Sequence, residues 1–374
     1  MTQDKISQIT EGSTTVFVYD KNTTAKGPGS KQGLPFYNPS MELNRDCSIA
    51  VGQWLLDTGK KPLHFFDGLA ASGIRGVRFA NELKGEFEVS INDWSQDAFT
   101  LIEKNLQEFD RDITHSYQEN IHMLLSKHRY DYIDIDPFGT PAGYIDSAMR
   151  GIKHDGIIAV SATDTATLCG TYPKVCRRRY SAIPYHGYVM HEVGLRILLG
   201  FLGREAAKHD KGITPIVSYS TDHYMRIYIQ VHNNLHSANE TIEKIRIISS
   251  SDIYPFEKDK AHSIGPLWTG KLHKPEAIKE IRSLIFSKTL GTKNTLIKLL
   301  DLLEDESVSP MFFYSSDHIA SQLKCSPPPL NVLIDRITDA GFAVHRTHFS
   351  PTGFKTSAPA SVIENIFLNL PQRM

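Results

Sequence analysis

No run of apolar residues in this chain approaches the roughly 20 that a membrane-spanning helix needs. The opening residues, MTQDKISQITEG, hold no apolar core of the kind that marks a secretory leader. Cysteine is scarce: Cys47, Cys169, Cys176 and Cys325 are the only ones in 374 residues, and none forms a C-x-x-C pair. That spacing argues against a disulfide scaffold or a structural zinc knuckle and suits a reducing compartment. Excess charge is missing too, since the formal net charge is −1. Any nucleic-acid partner must therefore be gripped by a local patch rather than by a globally basic surface. What remains is ordinary globular material, 40% hydrophobic and 22% charged, in a chain long enough for about two domains. The expectation is a soluble, cytoplasmic, metal-free protein.

The most informative stretch is Tyr130-Asp131-Tyr132-Ile133-Asp134-Ile135-Asp136-Pro137-Phe138-Gly139-Thr140-Pro141. Its first half alternates and is rich in aromatic and β-branched residues, which reads as a buried strand. Pro137 ends the strand because it has no N–H for the ladder. A carboxylate (Asp136) and a ring (Phe138) thus emerge where open α/β sheets hold their ligands. An acceptor beside a stacking surface suits a flat heterocycle with an exocyclic amine. The plainer alternative is a solvated Asp in a Pro-Gly turn.

In chain order, residues 13–19 read as a strand. Residues 20–39 form a Gly/Pro/Lys-rich loop centred on Gly27-Pro28-Gly29-Ser30-Lys31, ending in Phe36-Tyr37-Asn38-Pro39, and a helix carries Asn44-Arg45-Asp46. Leu63–Gly76 (LHFFDGLAASGIRG) is an apolar strand running into a small-residue turn and a helix. This is the usual opening of a nucleotide-binding half, with Asp67 and Gly68 at the strand's end. It lacks G-x-G-x-x-G spacing and a P-loop's Lys-Ser/Thr, so a nucleoside without a phosphate chain fits better. A second strand, 87–92, ends in Asp93, just over 20 residues past the turn, where ribose hydroxyls are held; the same Asp could equally serve as a helix N-cap. Helix 95–109, a short strand leading to Glu119-Asn120, a helix at 142–153 and strand 156–162 follow. A polar loop then carries Lys174 and Arg177-Arg178-Arg179, either a phosphate-binding patch or a solvated surface. After helix 186–208, strands 214–220 and 224–232 are too close to pair other than antiparallel.

Five strand–helix alternations closed by such a hairpin point to the methyltransferase variant of the doubly wound sheet, filling residues 1–235. Residues 236–374 read as a smaller α+β domain: a polar irregular stretch (233–275), a helical region (276–303), then helix, helix and hairpin in a winged-helix-like order. That module either touches nucleic acid or braces the first domain. If the glycine turn takes the nucleoside of S-adenosylmethionine, Asp93 accepts from its ribose and Glu119-Asn120 flank its adenine. Asp136 would then accept from a ring amine whose lone pair is delocalised, and Phe138 would orient the ring. A base reached inside folded RNA must be extruded, and a second ring is then expected opposite Phe138. Phe36 is the candidate, although its plainer reading is a core residue.

Taken together, FYNP, NRD, FDGLAASGIRG, INDW, DIDPFGTP, ATDTATLCG and THFSPTGFKTSAP resemble the archaeal and eukaryotic tRNA guanine-26 N2-dimethyltransferases, the Trm1 family, over nearly the whole chain. The resemblance implies a class I methyltransferase fold and two successive transfers to guanine N2 in tRNA. It also implies that Arg45, Arg75, Asp93, Glu119 and Asn120 hold S-adenosylmethionine, that Asp136 meets the guanine edge, and that Phe36 and Phe138 sandwich the base. Two departures are visible. The four-cysteine zinc site of some members is missing from the second domain, and Glu119 stands where Asp is common. The expected enzyme is a monomer acting on tRNA. Its rivals are an amino-methyltransferase for adenine or cytosine and a catalytically silent tRNA-binding protein.

Overall fold

The computed structural model describes residues 6–19, 34–59, 62–110, 112–221, 223–253 and 261–369. The Gly27–Lys31 centre of the long loop lies outside them. Strands β1 (Ile6–Glu11) and β2 (Thr14–Tyr19) form a hairpin ahead of helix α1 (Glu42–Thr58). Then come β3 (Leu63–Asp67), α2 (Ile74–Glu82), β4 (Phe87–Asn92), α3 (Gln96–Asn105), β5 (Thr114–Tyr117), α4 (Ile121–Lys127) and β6 (Tyr130–Ile135). Next are α5 (Ile145–Gly151), β7 (Ile152–Ala162), α6 (Thr165–Leu168), α7 (Pro173–Tyr180), α8 (Met190–Ala207), β8 (Gly212–Ser220) and β9 (Met225–His232).

Seven of these strands form one sheet in the order β5-β4-β3-β6-β7-β9-β8. The first five are parallel, while β9 runs antiparallel to both β7 and β8. The class I methyltransferase fold expected from the strand–helix alternation is the one found. Its central strands are buried on both faces, which is why they read as apolar runs. Phe65 packs with α1 and α2 on one side, and Phe66, its neighbour, with α4, α5 and α8 on the other. The chain leaves β3 toward β4 and β5, then returns to place β6 on β3's other side. The crevice between the carboxyl ends of β3 and β6 is therefore a topological switch point, the place where such sheets bind ligands.

Some local expectations give way to tertiary context. The helix at 142–153 stops at Gly151, because Ile152 already pairs with Tyr130, and a bulge follows. The loop with the arginine run contains α6 and α7. The stretch at 233–275 is not irregular: α9 (Leu235–Glu243) is capped by the Asn234 side chain, and β10 (Ile245–Ser249) pairs with β11 (Ser263–Trp268). These elements are short and half-exposed, so they leave little periodic signal.

Helices α10 (Pro275–Ile285) and α11 (Lys293–Ser307) join the core on the α1 side. The end of the chain is a small sheet, β12 (Tyr314–Ser315), β14 (Ser350–Thr356) and β13 (Val344–Thr347). Around it are α12 (Ser316–Leu323), α13 (Leu330–Asp339) and α14 (Ala360–Asn369). Its apolar residues, among them Phe313, Leu333 and Phe354, are continuous with the core on the α8 side.

Candidate active site

A cavity of about 810 Å³ opens at the carboxyl ends of the parallel strands. Asp67 from β3, Asp93 after β4, and Asp136 and Phe138 after β6 all line it, with Arg75 from α2, Arg45 from α1 and Phe36 from the segment before α1. Phe36 and Phe138, 102 positions apart in the chain, meet there.

On the β3–β4 side, the turn between β3 and α2 is pinned by two carboxylates. Asp67 accepts the Gly76 N–H at 3.0 Å. Asp93 accepts the Ala71 N–H at 2.9 Å through one oxygen and the Ser95 N–H at 3.0 Å through the other. Burial raises both pKa values, Asp67 to about 7 despite the Arg75 charge, while backbone N–H groups oppose the rise at Asp93. Each carboxylate oxygen has a second lone pair, so Asp93 can hold the turn and still accept from a ligand hydroxyl. Gly76 is required by packing, because a Cβ there would lie 2.5 Å from Ile91 on β4.

On the β6 side, Arg75 organises the chemistry. One guanidinium nitrogen donates to Asn44 Oδ1 (2.8 Å) and Ser48 Oγ (2.6 Å), and the other pairs with Asp136 Oδ2. Beneath them Asp134, fully buried, accepts from Arg226 at 2.6 and 3.0 Å and from the Tyr132 hydroxyl at 2.9 Å. Burial alone would push the Asp134 carboxyl up, but Arg226 and Arg75 hold it below the usual value. Asp136 is thus the outermost acid of a rigid charged stack, its side chain one-fifth exposed. The Phe36 and Phe138 rings touch across the cavity, with centroids 5.8 Å apart and planes tilted by 58°. A base held between them needs two van der Waals gaps of ~3.5 Å, so the rings must part to roughly 7 Å and turn parallel.

The family model for N2,N2-dimethylguanosine tRNA methyltransferases matches residues 12–368. The chain belongs to this family. The tRNA (guanine(26)-N(2))-dimethyltransferase of Pyrococcus abyssi is 37% identical over 370 residues, covering 92% of this chain and 96% of the relative. The enzyme of the same name from Methanobrevibacter smithii is 36% identical, with 99% of both chains covered. Among solved structures, the complex of Trm1 from Pyrococcus horikoshii with S-adenosyl-L-methionine superposes with a TM-score of 0.84 at 34% identity, over 98% of this chain and all of that one.

Three residues expected at the cofactor site do not line the cavity. Gly68 donates to the Asp134 carbonyl, and a Cβ there would come within 2.6 Å of Ile121, so close packing explains the glycine. Glu119 and Asn120 lie beyond β5: Glu119 donates its N–H to Asn92 Oδ1, and Asn120 caps α4 through the His122 N–H. Buried Asn92, which the sequence reading passed over, also donates to the Gly68 carbonyl and so ties this corner to the turn. Arg45 lines the cavity, but its Nε donates to Glu11 at 2.7 Å and its guanidinium also reaches the Asn38 carbonyl. The sequence reading gave no role to Glu11, Asp134, Arg226, Asn44 or Ser48. Arg226 did leave a signal, since it is a charge within the apolar strand MRIYIQVH. Cys169 lies 3.5 Å from His191 Nδ1, a neighbour not apparent in sequence, yet burial pushes its thiol up to about 12. Among the described residues no cluster of His, Cys, Asp and Glu could hold a metal ion, and no helix is long and apolar enough to cross a membrane.

Proposed function

We propose that this protein transfers methyl groups from S-adenosylmethionine to the exocyclic N2 of guanine 26 in tRNA, twice in succession, giving N2,N2-dimethylguanine. The observation that carries the reading is Asp136, an acid fixed by Arg75 beside two facing rings, in a chain of this family. The donor fits the cavity's other half. Leu69, Ile74 and Ala98 offer apolar contact for an adenosine, and Asp93 offers the acceptor its ribose needs. When bound, the sulfonium supplies an electrophilic methyl group.

The chain's own residues do the rest. Arg75 occupies Asp136 Oδ2, leaving Oδ1 to accept an N–H of the guanine amine and hold its proton as the C–N bond forms. Phe36 and Phe138 fix the ring plane for in-line attack, an orientation effect worth several kcal/mol. Because a monomethylated amine keeps one N–H, the same carboxylate can orient the second transfer. Arg177 and Arg178, exposed on α7, meet tRNA phosphates, while Arg179 is held by Asp164 at 3.0 Å. Residues 236–374 brace the catalytic part and extend its tRNA contact. The buried thiols suit a cytoplasmic setting, and a monomer is expected by light scattering.

Mass spectrometry of tRNA nucleosides after incubation with the pure protein and S-adenosylmethionine tests the activity. N2,N2-Dimethylguanosine is expected; N6-methyladenosine would transfer the site to the adenine rival, and no product to the silent one. Asp136→Ala should abolish transfer with tRNA binding intact, and unchanged turnover would remove Asp136 from its role. Arg177→Ala with Arg178→Ala should weaken tRNA binding and lower the slope of log affinity against log salt by about 1 per lost phosphate contact. A slope equal to the parent's would return both arginines to the solvated surface.

A further inference from the structure

Strand β8 is an edge of the seven-stranded sheet, paired on one side only, by β9. An edge strand turns every second residue's N–H and C=O outward, and buried groups of this kind need partners. Among the described residues no further strand supplies them. The Ser218 N–H donates to His273 Nδ1 at 3.3 Å, and two residues on, the Ser220 N–H donates to His348 Nε2 at 3.2 Å. At the preceding outward position the Ile216 carbonyl accepts from the Lys274 N–H. Two buried histidines, rings 6.3 Å apart, thus stand in for a neighbouring strand.

His348 belongs to the THFSPTGFK segment of the β13–β14 hairpin, which the catalytic scheme leaves unused. Because Nε2 accepts, the ring proton sits on Nδ1, which faces Glu306 Oε1 at 2.7 Å. Glu306 comes from α11. Lys355, from the same hairpin as His348, reaches Glu192 on α8 at 2.9 Å. The hairpin is therefore tied to α11, to α8 and to the end of β8 by buried, directional bonds. The residue it grips ends β8. Directly after it, Thr221 donates its N–H to the Tyr224 carbonyl at 2.9 Å, and Thr221, His223 and Tyr224 line the cavity on the side of β6, β7 and β9, where Asp136 lies.

We infer that His348 is a positioning residue for methyl transfer. By accepting the Ser220 N–H it fixes the turn between β8 and β9 that walls the acceptor side of the cavity, so the C-terminal hairpin sets where the base lies without touching it. The inference rests on the reading that this cavity takes a nucleobase against Asp136.

The two ring nitrogens have separate jobs, and two substitutions separate them. His348→Gln places a side-chain oxygen where Nε2 was and keeps the bond to Ser220. His348→Asn keeps a donor to Glu306 in place of Nδ1–H and abandons Ser220. In the full-length protein with tRNA, His348→Asn should lower kcat by about tenfold or more, the scale of a small misplacement of a reacting group. His348→Gln should stay within about threefold of the parent, the worth of one net hydrogen bond. S-Adenosylmethionine affinity should hold in both, and amide exchange at Ser220 should quicken only in His348→Asn. His273→Ala, which frees the Ser218 N–H away from the turn, should lower the melting temperature but not kcat. Equal kcat in the Asn and Gln variants, or losses that simply follow melting temperature in all three, would overturn the inference. Asp136→Ala separates the two levels. If it is inactive while His348→Asn matches the parent, only the role of His348 fails; if it turns over like the parent, the cavity reading fails first.

Discussion

Arg75 and Arg78 leave the same helix three residues apart, both buried, both surrounded by acids, and they end in different kinds of place. Arg78 is sealed. It donates to Asp46 at 2.7 Å, to Glu82 at 2.9 and 3.1 Å and to Glu11 at 3.2 Å, and these partners are themselves buried. Asp46 also takes the N–H and hydroxyl of Thr292, so this cluster joins the β1–β2 hairpin, α1, α2 and the start of α11. Arg75 shares its load between a buried acid, Asp134, and one that opens into the cavity, Asp136. Similar chemistry therefore welds the scaffold at one position and presents a carboxylate to the cavity at the other. What differs is whether the last acid in the chain of contacts reaches the cavity.

The sharpest way to break this division is at Arg78. Replacing it by Met strands buried carboxylates, and breaking such a cluster costs about 3–5 kcal/mol. Urea unfolding should register that loss, while the folded fraction keeps the parent's kcat; a collapse of kcat in fully folded protein would erase the distinction. At Arg75 the pattern should invert. Arg75→Lys keeps a charge but cannot reach Asn44, Ser48 and Asp136 with one planar fork, so kcat should fall roughly 100-fold with a smaller change in stability. If affinity for S-adenosylmethionine falls as far as kcat does, Arg75 is chiefly a cofactor ligand, as the family resemblance implies.

A third test falls on Asp67, which anchors the same helix through Gly76. Its folded pKa of about 7 lies above its ordinary value of 3.8, so the folded state binds the extra proton in between. Stability contributed by this group is full at low pH and is lost as pH rises from about 4 to about 7. Asp67→Asn keeps an oxygen for the Gly76 N–H and removes that slope. Melting temperatures of the two proteins across this window should diverge in favour of the variant; parallel curves would show that Asp67 does not titrate there.

How much of this could be read from the chain follows from distance along it. Strand β3, its glycine turn and β4 are legible because burial on both faces forces apolar runs, and a turn lying against Ile91 and Ile121 forces small residues. Asp93, Asp136 and Phe138 are legible because each ends a strand on the side where ligands sit. Pairings are not. Arg226 meets Asp134 across 92 residues, Arg75 meets Asp136 across 61, and Ser220 meets His348 across 128. Periodicity describes one element at a time and cannot say which acid a given arginine will find. Arg45, which lines the cavity as expected of a cofactor residue, is also held by Glu11, in a strand the sequence reading did not see. Phe36, read from the sequence alone as a core residue, lies with its ring against Phe138 at the cavity.

That ring contact has a consequence for entry. On the proposed reading that a base sits between these two phenyl groups, parting them to admit it forfeits about 0.5–1.5 kcal/mol of aromatic attraction. A loose nucleoside brings little beyond its own faces to offset that loss. A whole folded RNA, gripped along its backbone, brings far more. On that proposal the ring pair favours a ligand anchored elsewhere, and size itself becomes a criterion for admission.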